Sequence, residues 1–396
     1  MAVISARVEF ASGGQDVPEK VWYAFPRRYK EVLSVGSEPF AAALLLPAMF
    51  WGEEVQILGQ VSPKFAYGLQ EYSRIFHIWM PKMLKAVEFD FKELVKEEGE
   101  AFPTGVATAF SGGVDSSYTL RENLGEAQPL EDHRLTHGVF IHGFDIDLHE
   151  AEAYRSALRR NRELFTEKGL ELIPVQTNTR LFTLYRMDWG MASGGPLIGA
   201  GLALGGLLRR FYIPSGYSYH EVLPNGNSPL TDQLLSTERL EIVHHGAAKR
   251  HNEKMDEIAH WDVAHKNLRV CIATPKPRDG GNCSVCNKCL INRIRFEMLG
   301  VHSKFETFAQ PFERRIFLRW WSYALIGAPA IKEIMRMAVE TGRWDLWLGM
   351  WTVRLGSWAN QKVRGWAQRL LPEERFYAMK KQRYGEQVGE LVEELW

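Results

Sequence analysis

The stretch Val106-Ala107-Thr108-Ala109-Phe110-Ser111-Gly112-Gly113-Val114-Asp115-Ser116 decides how the rest of the chain is read. Its first half is a short apolar run that suits a buried strand. The adjacent glycines let the backbone turn tightly and aim its N–H groups outward. A helix starting near Ser116 adds the positive end of its dipole. Together these make an anion cradle suited to phosphate. No Gly-Lys-Ser/Thr follows, so this is not the loop that holds ATP for γ-phosphoryl transfer, and the dinucleotide glycine pattern is absent too. Ser111 and Ser116 offer hydroxyls, and Asp115 is placed to hold magnesium among phosphate oxygens. The plain alternative is an ordinary strand–turn–helix junction.

Outward from this loop, strands are expected at Gly105 to Phe110, Gly138 to His142, Leu170 to Gln176 and Phe211 to Ser215. Helices are expected at Ser116 to Asn123, Leu148 to Lys168 and Met191 to Arg209. This alternation predicts an α/β fold, a doubly wound parallel sheet, with ligands at the carboxyl ends of its strands. Residues 1–100 read as an α+β region, with a helix from Ser62-Pro63 to about Ile78. Residues 101–300 read as the catalytic domain. Residues 301–396 read as a helical region holding Trp320, Trp321, Trp344, Trp347, Trp351, Trp358, Trp366 and Trp396, 8 of the 13 tryptophans.

Lysine plus arginine number 48 and aspartate plus glutamate 48, which excludes a protein acting mainly as a polycation. Between 301 and 383 there are 15 basic and 7 acidic residues. Basic residues among aromatics suit nucleic-acid contact, but a helical bundle with a solvated face is favoured. Trp189 to Leu208 carries no charge, yet its glycines suit a buried helix close against a sheet rather than a membrane span. The amino terminus lacks the basic flank and apolar run of a secretory signal, so a cytoplasmic protein without membrane contact is expected.

All four cysteines, Cys271, Cys283, Cys286 and Cys289, fall in one segment, one followed by a CxxCxxC run. Two-residue gaps let neighbouring thiolates converge on one ion. Four thiolates suit tetrahedral zinc; an iron–sulfur cluster uses the same ligands. Zinc held by all four leaves no cysteine for persulfide chemistry.

The run Ser-Gly-Gly-Val-Asp-Ser at 111–116 resembles the signature of the PP-loop ATP pyrophosphatases, the adenine nucleotide alpha-hydrolase-like superfamily with its HUP-like fold. The cysteine pattern, with Leu240-Glu241-Ile242-Val243 upstream, is similar to that of the 7-cyano-7-deazaguanine synthase branch, which makes the nitrile precursor of queuosine. The resemblance covers roughly residues 103–300. It implies that ATP is cleaved between the α and β phosphates, that a substrate oxygen becomes an AMP ester with release of pyrophosphate, and that a nucleophile displaces AMP. The gap from Cys271 to Cys283 is longer than the branch usually shows, and His142-Gly143-Phe144-Asp145-Ile146 departs from its pattern.

On this reading ATP and magnesium sit on Ser111, Gly112, Gly113, Val114, Asp115 and Ser116, and zinc on the four cysteines. Adenine lies against Phe140, Ile141 and His142, as the resemblance implies. Asp115, Ser111 and Arg180 are the candidate catalytic residues, Arg180 because its fork can bind a phosphate or carboxylate. Its plain alternative is a surface ion pair. Asp145 or Asp147 can touch ribose, metal or substrate, and the plain alternative for Asp145 is to cap the helix expected near Leu148. Ser215-Gly216-Tyr217-Ser218-Tyr219 leaves room for a ligand. Asp232 and Ser236-Thr237-Glu238 precede a further expected helix. His244 and His245, read on that helix, point apart and make a poor metal pair. The small-molecule acceptor stays open, as does the donor. Ammonia, free or from a partner, gives amide or nitrile formation; a sulfur donor gives thiolation of a guanine-like base or other metabolite. A nucleotide-binding module without catalysis and a homodimer are also compatible with the sequence.

Overall fold

The computed structural model describes residues 1–11, 17–96, 102–183, 186–273, 275–314, 316–317 and 328–370. Seven strands form one sheet in the order β1 (Ala2–Arg7), β2 (Lys20–Phe25), β7 (Glu171–Thr177), β6 (His137–His142), β5 (Gly105–Ala109), β8 (Leu208–Pro214), β9 (Glu241–His245). From β7 to β9 every pairing is parallel. β1 and β2 extend the β7 edge antiparallel. The α/β architecture with a mostly parallel central sheet is therefore present.

The central strands are apolar at consecutive positions because both faces are buried. Ala107, Ala109, Val139, Ile141, Ile173 and Val175 face one core. Val106, Phe110, Phe140 and Leu172 face the other. The first core is covered by α1 (Glu38–Trp51), α2 (Pro63–Trp79) and α6 (Gly194–Leu202). The second is covered by α4 (Ala151–Glu167), whose buried Ala153, Tyr154, Ala157, Leu158, Leu164 and Phe165 recur at helical spacing. Residues 1–100 do not stand apart. β1 and β2 belong to the main sheet, and α1 packs into the same core as the central strands. Only β3 (Val55–Val61) and β4 (Phe89–Leu94) form a second, two-stranded sheet. The helix expected from Ser62-Pro63 is α2, with the Ser62 hydroxyl accepting from the Phe65 N–H.

The helix expected at Met191 to Arg209 is corrected. It is two pieces, α5 (Trp189–Ala192) and α6, and the chain from Leu208 is already β8. Gly205 and Gly206 end it. A side chain on Gly206 would sit 2.8 Å from the Val32 carbonyl, so the turn is also pressed against the N-terminal region. The glycines inside α6 allow close approach as expected, to helix α1 as well as to the sheet. A Cβ on Gly195 would meet the Ala42 carbonyl at 2.1 Å, and one on Gly201 the Phe211 ring at 2.3 Å. No helix among the described residues is long and apolar enough to cross a membrane.

Beyond the sheet, α7 (His251–Ile258), α8 (Asp262–Asn267) and α9 (Asn287–Met298) carry the cysteine segment. The helices Ala328–Glu340 and Trp344–Leu370 follow, and their Ile334, Ala338, Leu346, Met350 and Val353 share a core with Leu290 and Ile294 of α9. Residue 300 is thus no break in packing. Trp320, Trp321 and Trp396 lie outside the described residues, as does the rest of the expected helical region from 371 onward.

Candidate functional site

In the parallel part of the sheet β5 lies between β6 and β8, so the chain leaves β5 where the strand order reverses. Crevices at such switch points bind ligands. Ser111 to Ser116 occupies this point and leads into α3 (Val114–Glu122). Gly112 has φ +79°, a left-handed conformation that side chains disfavour. Ser116 Oγ donates to the Gly113 carbonyl at 3.1 Å, and Gly113 N–H donates to Ser111 Oγ at 3.3 Å. The turn is held by its own hydroxyls, which keeps the first N–H groups of α3 directed at one place.

That place is a cavity of about 710 Å³. Ser111, Gly113, Val114, Asp115 and Ser116 form one wall, and Val139, Phe140 and Ile141 at the end of β6 form another. The expected loop residues and Phe140 are therefore brought together. Gly112 carries the turn without lining the space.

His142 is corrected. Its ring is fully buried, stacks on Tyr154 with centroids 4.2 Å apart, and hydrogen-bonds through Nε2 to the Asp147 carbonyl at 2.9 Å. It does not line the cavity, and burial pushes it down to about 4, so it is a neutral core residue. The stacking on Tyr154 of α4 keeps the ring in the core rather than in the cavity beside Ile141.

Arg180 is corrected as well. Its guanidinium donates to Asp147 Oδ1 at 2.7 Å and to the Phe144 carbonyl, and lies over Trp189. It fastens the 143–147 turn, at whose start Gly143 (φ +101°) passes so close to Thr177 that a Cβ would sit 2.1 Å from its carbonyl oxygen. Asp145 lies on the cavity wall rather than capping a helix, since α4 begins only at Ala151.

Lys288 reaches the cavity wall, and so does Arg269. It donates through Nε and Nη2 to the Ser111 carbonyl at 3.2 and 3.0 Å, and its own N–H donates to the Gly112 carbonyl at 2.8 Å. Asp145 lies 4.0 Å from it. The Arg269 guanidinium beside it holds the Asp145 carboxyl below its ordinary range. Two further basic side chains come from α7. Lys254, with its side chain 1% exposed, donates to Asp115 Oδ1 at 3.1 Å and to the Ser215 carbonyl. His251 Nδ1 lies 3.3 Å from the same oxygen. Burial would lift the Asp115 carboxyl, but these neighbours, His251 foremost, keep it well below the usual carboxylate range. Asp115 is an anion fixed at the first turn of α3, and its Oδ2 has no partner among the described residues.

Arg269, Lys254 and His251 were missed in the sequence. The one available signal was the i, i+3 spacing of His251 and Lys254, which sets both on one side of a helix.

The four Sγ atoms lie within 4.8 Å of one another, a set able to hold a metal ion. Cys283 to Cys289 is 3.9 Å and Cys286 to Cys271 is 4.0 Å. Contact with Cys271 pulls the Cys286 thiol below its ordinary range and pushes Cys289 above it. The segment Leu268 to Cys271 pairs with no strand among the described residues. Asn282 ties it down instead, its Oδ1 accepting from Val270 and Cys271 N–H at 2.9 and 3.1 Å and its Nδ2 donating to the Leu268 carbonyl at 2.8 Å. The cysteine loop therefore braces the segment that carries Arg269, and Cys271 itself reaches the cavity wall.

His244 and His245 sit on strand β9 rather than a helix. They point to opposite faces, His244 Nδ1 to buried Asp232 at 2.7 Å and His245 to Thr119 and Asn123. Ser236, Thr237 and Glu238 precede that strand, and the Ser236 hydroxyl accepts from the Ile242 N–H. Compared with family models, curated proteins and solved structures, the chain matches none.

Proposed function

We propose that this chain is an ATP pyrophosphatase of the PP-loop type, which activates a substrate oxygen as an AMP ester and passes the activated group to a nitrogen nucleophile. One observation carries the reading. The Ser111–Ser116 turn, the α3 N-terminus, Asp115, His251 and Arg269 converge on one cavity at a sheet switch point, with Lys254 bonded to Asp115 from behind. The turn's N–H groups and Arg269 take the polyphosphate, the β6 terminus takes the base, and the acceptor fills the remaining space. At about 710 Å³ the cavity is within the size range of small-molecule sites.

The catalytic contribution is electrostatic. N–H groups and guanidinium held before the reaction stabilise negative charge that grows on the departing pyrophosphate. Asp115 would hold a magnesium ion, which would supply neutralisation of the phosphate charge. Lys254 holds Asp115 in place.

The four cysteines suit zinc. A Zn–S bond of about 2.3 Å puts tetrahedral sulfurs about 3.8 Å apart, close to the 3.9 and 4.0 Å here. Ligands of an iron–sulfur cluster bind different irons and stand further apart. With all four cysteines in one group, none is left to carry a persulfide, which favours ammonia or an amine over protein-borne sulfur.

The test is turnover of α-labelled ATP with magnesium, ammonia and a panel of carboxylates. AMP and pyrophosphate in equal amounts support the reading. ADP as product, or ATP bound and unchanged with every acceptor, overturns it.

A further inference from the structure

The outer face of α4 carries Arg155, Arg159 and Arg162, four and then three residues apart. That spacing sets all three on one side of the helix, about 6 Å and then about 4.5 Å apart along its axis. With Leu158, Glu163 and Thr166 they line an open groove of about 620 Å³. Among the described residues none of the three makes a hydrogen bond or has a carboxylate within ion-pair distance, whereas their neighbour Arg160 donates to the Asp279 carbonyl at 3.0 Å. Glu163 is the one carboxylate on the groove's described wall, so that wall is net positive. The loop from 276 to 281 rests on the same helix. A Cβ on Gly280 would sit 2.4 Å from the Ala153 carbonyl oxygen, and the loop adds Arg278, whose side chain is 90% exposed. Like charges three and four residues apart destabilise a helix slightly. A face that served only solubility would interleave acids there.

We propose that this stripe binds the phosphodiester backbone of a nucleic acid. The guanidinium fork matches phosphate oxygens, and three unpaired forks in a row suit a chain of repeating anions. The choice of nucleic acid over an acidic protein rests on what else the face presents. Among the described residues, neither α4 nor the 275–281 loop exposes a large apolar side chain. A protein partner would find no apolar anchor to bury, whereas nucleic-acid interfaces are polar and positively charged. With no exposed aromatic ring for stacking, the contact is to the backbone and is independent of base sequence. The surface lies outside the cavity described above, and the reading stands independently of the chemistry proposed there.

The experiment is fluorescence anisotropy on the full chain with labelled oligonucleotides, one a single-stranded RNA and one a DNA duplex, in potassium chloride from about 50 to about 200 mM. Each neutralised phosphate contributes about −0.7 (single strand) or about −0.9 (duplex) to the slope of log K against log salt. The three arginines therefore account for a slope of about −2 to −3, or roughly a 20- to 40-fold fall in affinity across that range. The variant Arg155→Gln/Arg159→Gln/Arg162→Gln is expected to lose that share of the slope while its far-UV circular dichroism stays unchanged. Should the triple variant not fold, Arg155→Gln/Arg159→Gln is expected to lose about two thirds of it. The oligonucleotide bound at the lower protein concentration identifies the kind of nucleic acid. No binding of either one at about 50 mM salt refutes the proposal. So does a slope that the variants leave unchanged, because the phosphate contacts then lie elsewhere. A variant that loses affinity for a polyglutamate chain but for neither oligonucleotide overturns it in favour of an acidic protein.

Discussion

Lys254→Met tests whether the buried cation serves both the fold and the chemistry. The Lys254 side chain is 1% exposed and Asp115 26% exposed, with 3.1 Å between Nζ and Oδ1. Removing one partner of a buried pair costs about 3–5 kcal/mol. Here Asp115 keeps His251 and some water, so a loss of about 2 kcal/mol is expected for Lys254→Met. Asp115→Asn strands the ammonium with the Ser215 carbonyl and should cost a similar amount. The double variant leaves no unpaired charge, so its loss should be about 2 kcal/mol rather than the sum of about 4, a coupling of about 2 kcal/mol. Urea unfolding near pH 7.5, with the slope against denaturant unchanged, reads this directly. Turnover should behave differently. Each single variant should lower kcat/KM by about 10²–10³, and the double should recover nothing, because the magnesium-binding carboxylate is still missing. Single losses that add to within about 0.5 kcal/mol, or a double variant that regains turnover, would refute the reasoning.

Burial of His142 and His302 pushes both down to about 4. The unfolded chain takes up these protons near 6.5, so their stabilisation is complete above pH 6.5 and is lost as pH falls towards 4, by about 2 kcal/mol each at pH 5; equal denaturant midpoints at pH 7 and 5 would contradict this. Arg180→Ala should cost about 2 kcal/mol, through Asp147 and the Phe144 carbonyl left unpaired, yet keep most turnover, whereas Arg269→Ala should lower kcat/KM by about 100-fold; the reverse pattern in steady-state assays would restore Arg180 to the site. Cys286→Ser should lower soluble yield and metal content together, since metal binding there is folding energy. Elemental analysis should find one zinc per chain and no titratable thiol, and a Cys286→Ser protein that folds normally while losing turnover would give the metal a chemical role.

What the sequence made legible follows from locality. The strand–turn–helix at 106–116 fixes its own geometry, because Gly112 must adopt positive φ and Ser111 and Ser116 close the turn within six residues. The β6 and β7 segments carry enough β-branched and aromatic residues to declare themselves. The edge strands β1 and β2 were visible as apolar segments, but their membership of the main sheet was not. That depends on the Asn178 side chain bonding to Trp22 N–H and the Lys20 carbonyl, a contact across more than 150 residues. The break at Gly205-Gly206 was misread because an uncharged run of that composition suits a helix, and only the strand partner Gly105 reveals where β8 begins.

The candidate site divides along the same line. The glycine turn is local, and its geometry is legible in the sequence. The basic groups that reach the cavity are not local, and Arg269 rather than Arg180 is among them. Arg180 follows Thr177-Asn178-Thr179 and Arg269 follows Lys266-Asn267-Leu268, and nothing in either neighbourhood says which one faces the cavity. The choice is made by charge already present in the fold. Asp147, 12% exposed, captures Arg180 at 2.7 Å, and a buried carboxylate left without that cation would be costly. Arg269 has only Asp145, at 4.0 Å, and spends its donors on the Ser111 carbonyl, which holds its charge beside the phosphate turn. Asn282 and the cysteine loop keep the backbone of Arg269 there. The cysteine segment and the glycine turn thus meet through one side chain, which is why loss of a metal held by the cysteines should weaken the proposed anion site from a distance even though three of the four cysteines do not line the cavity.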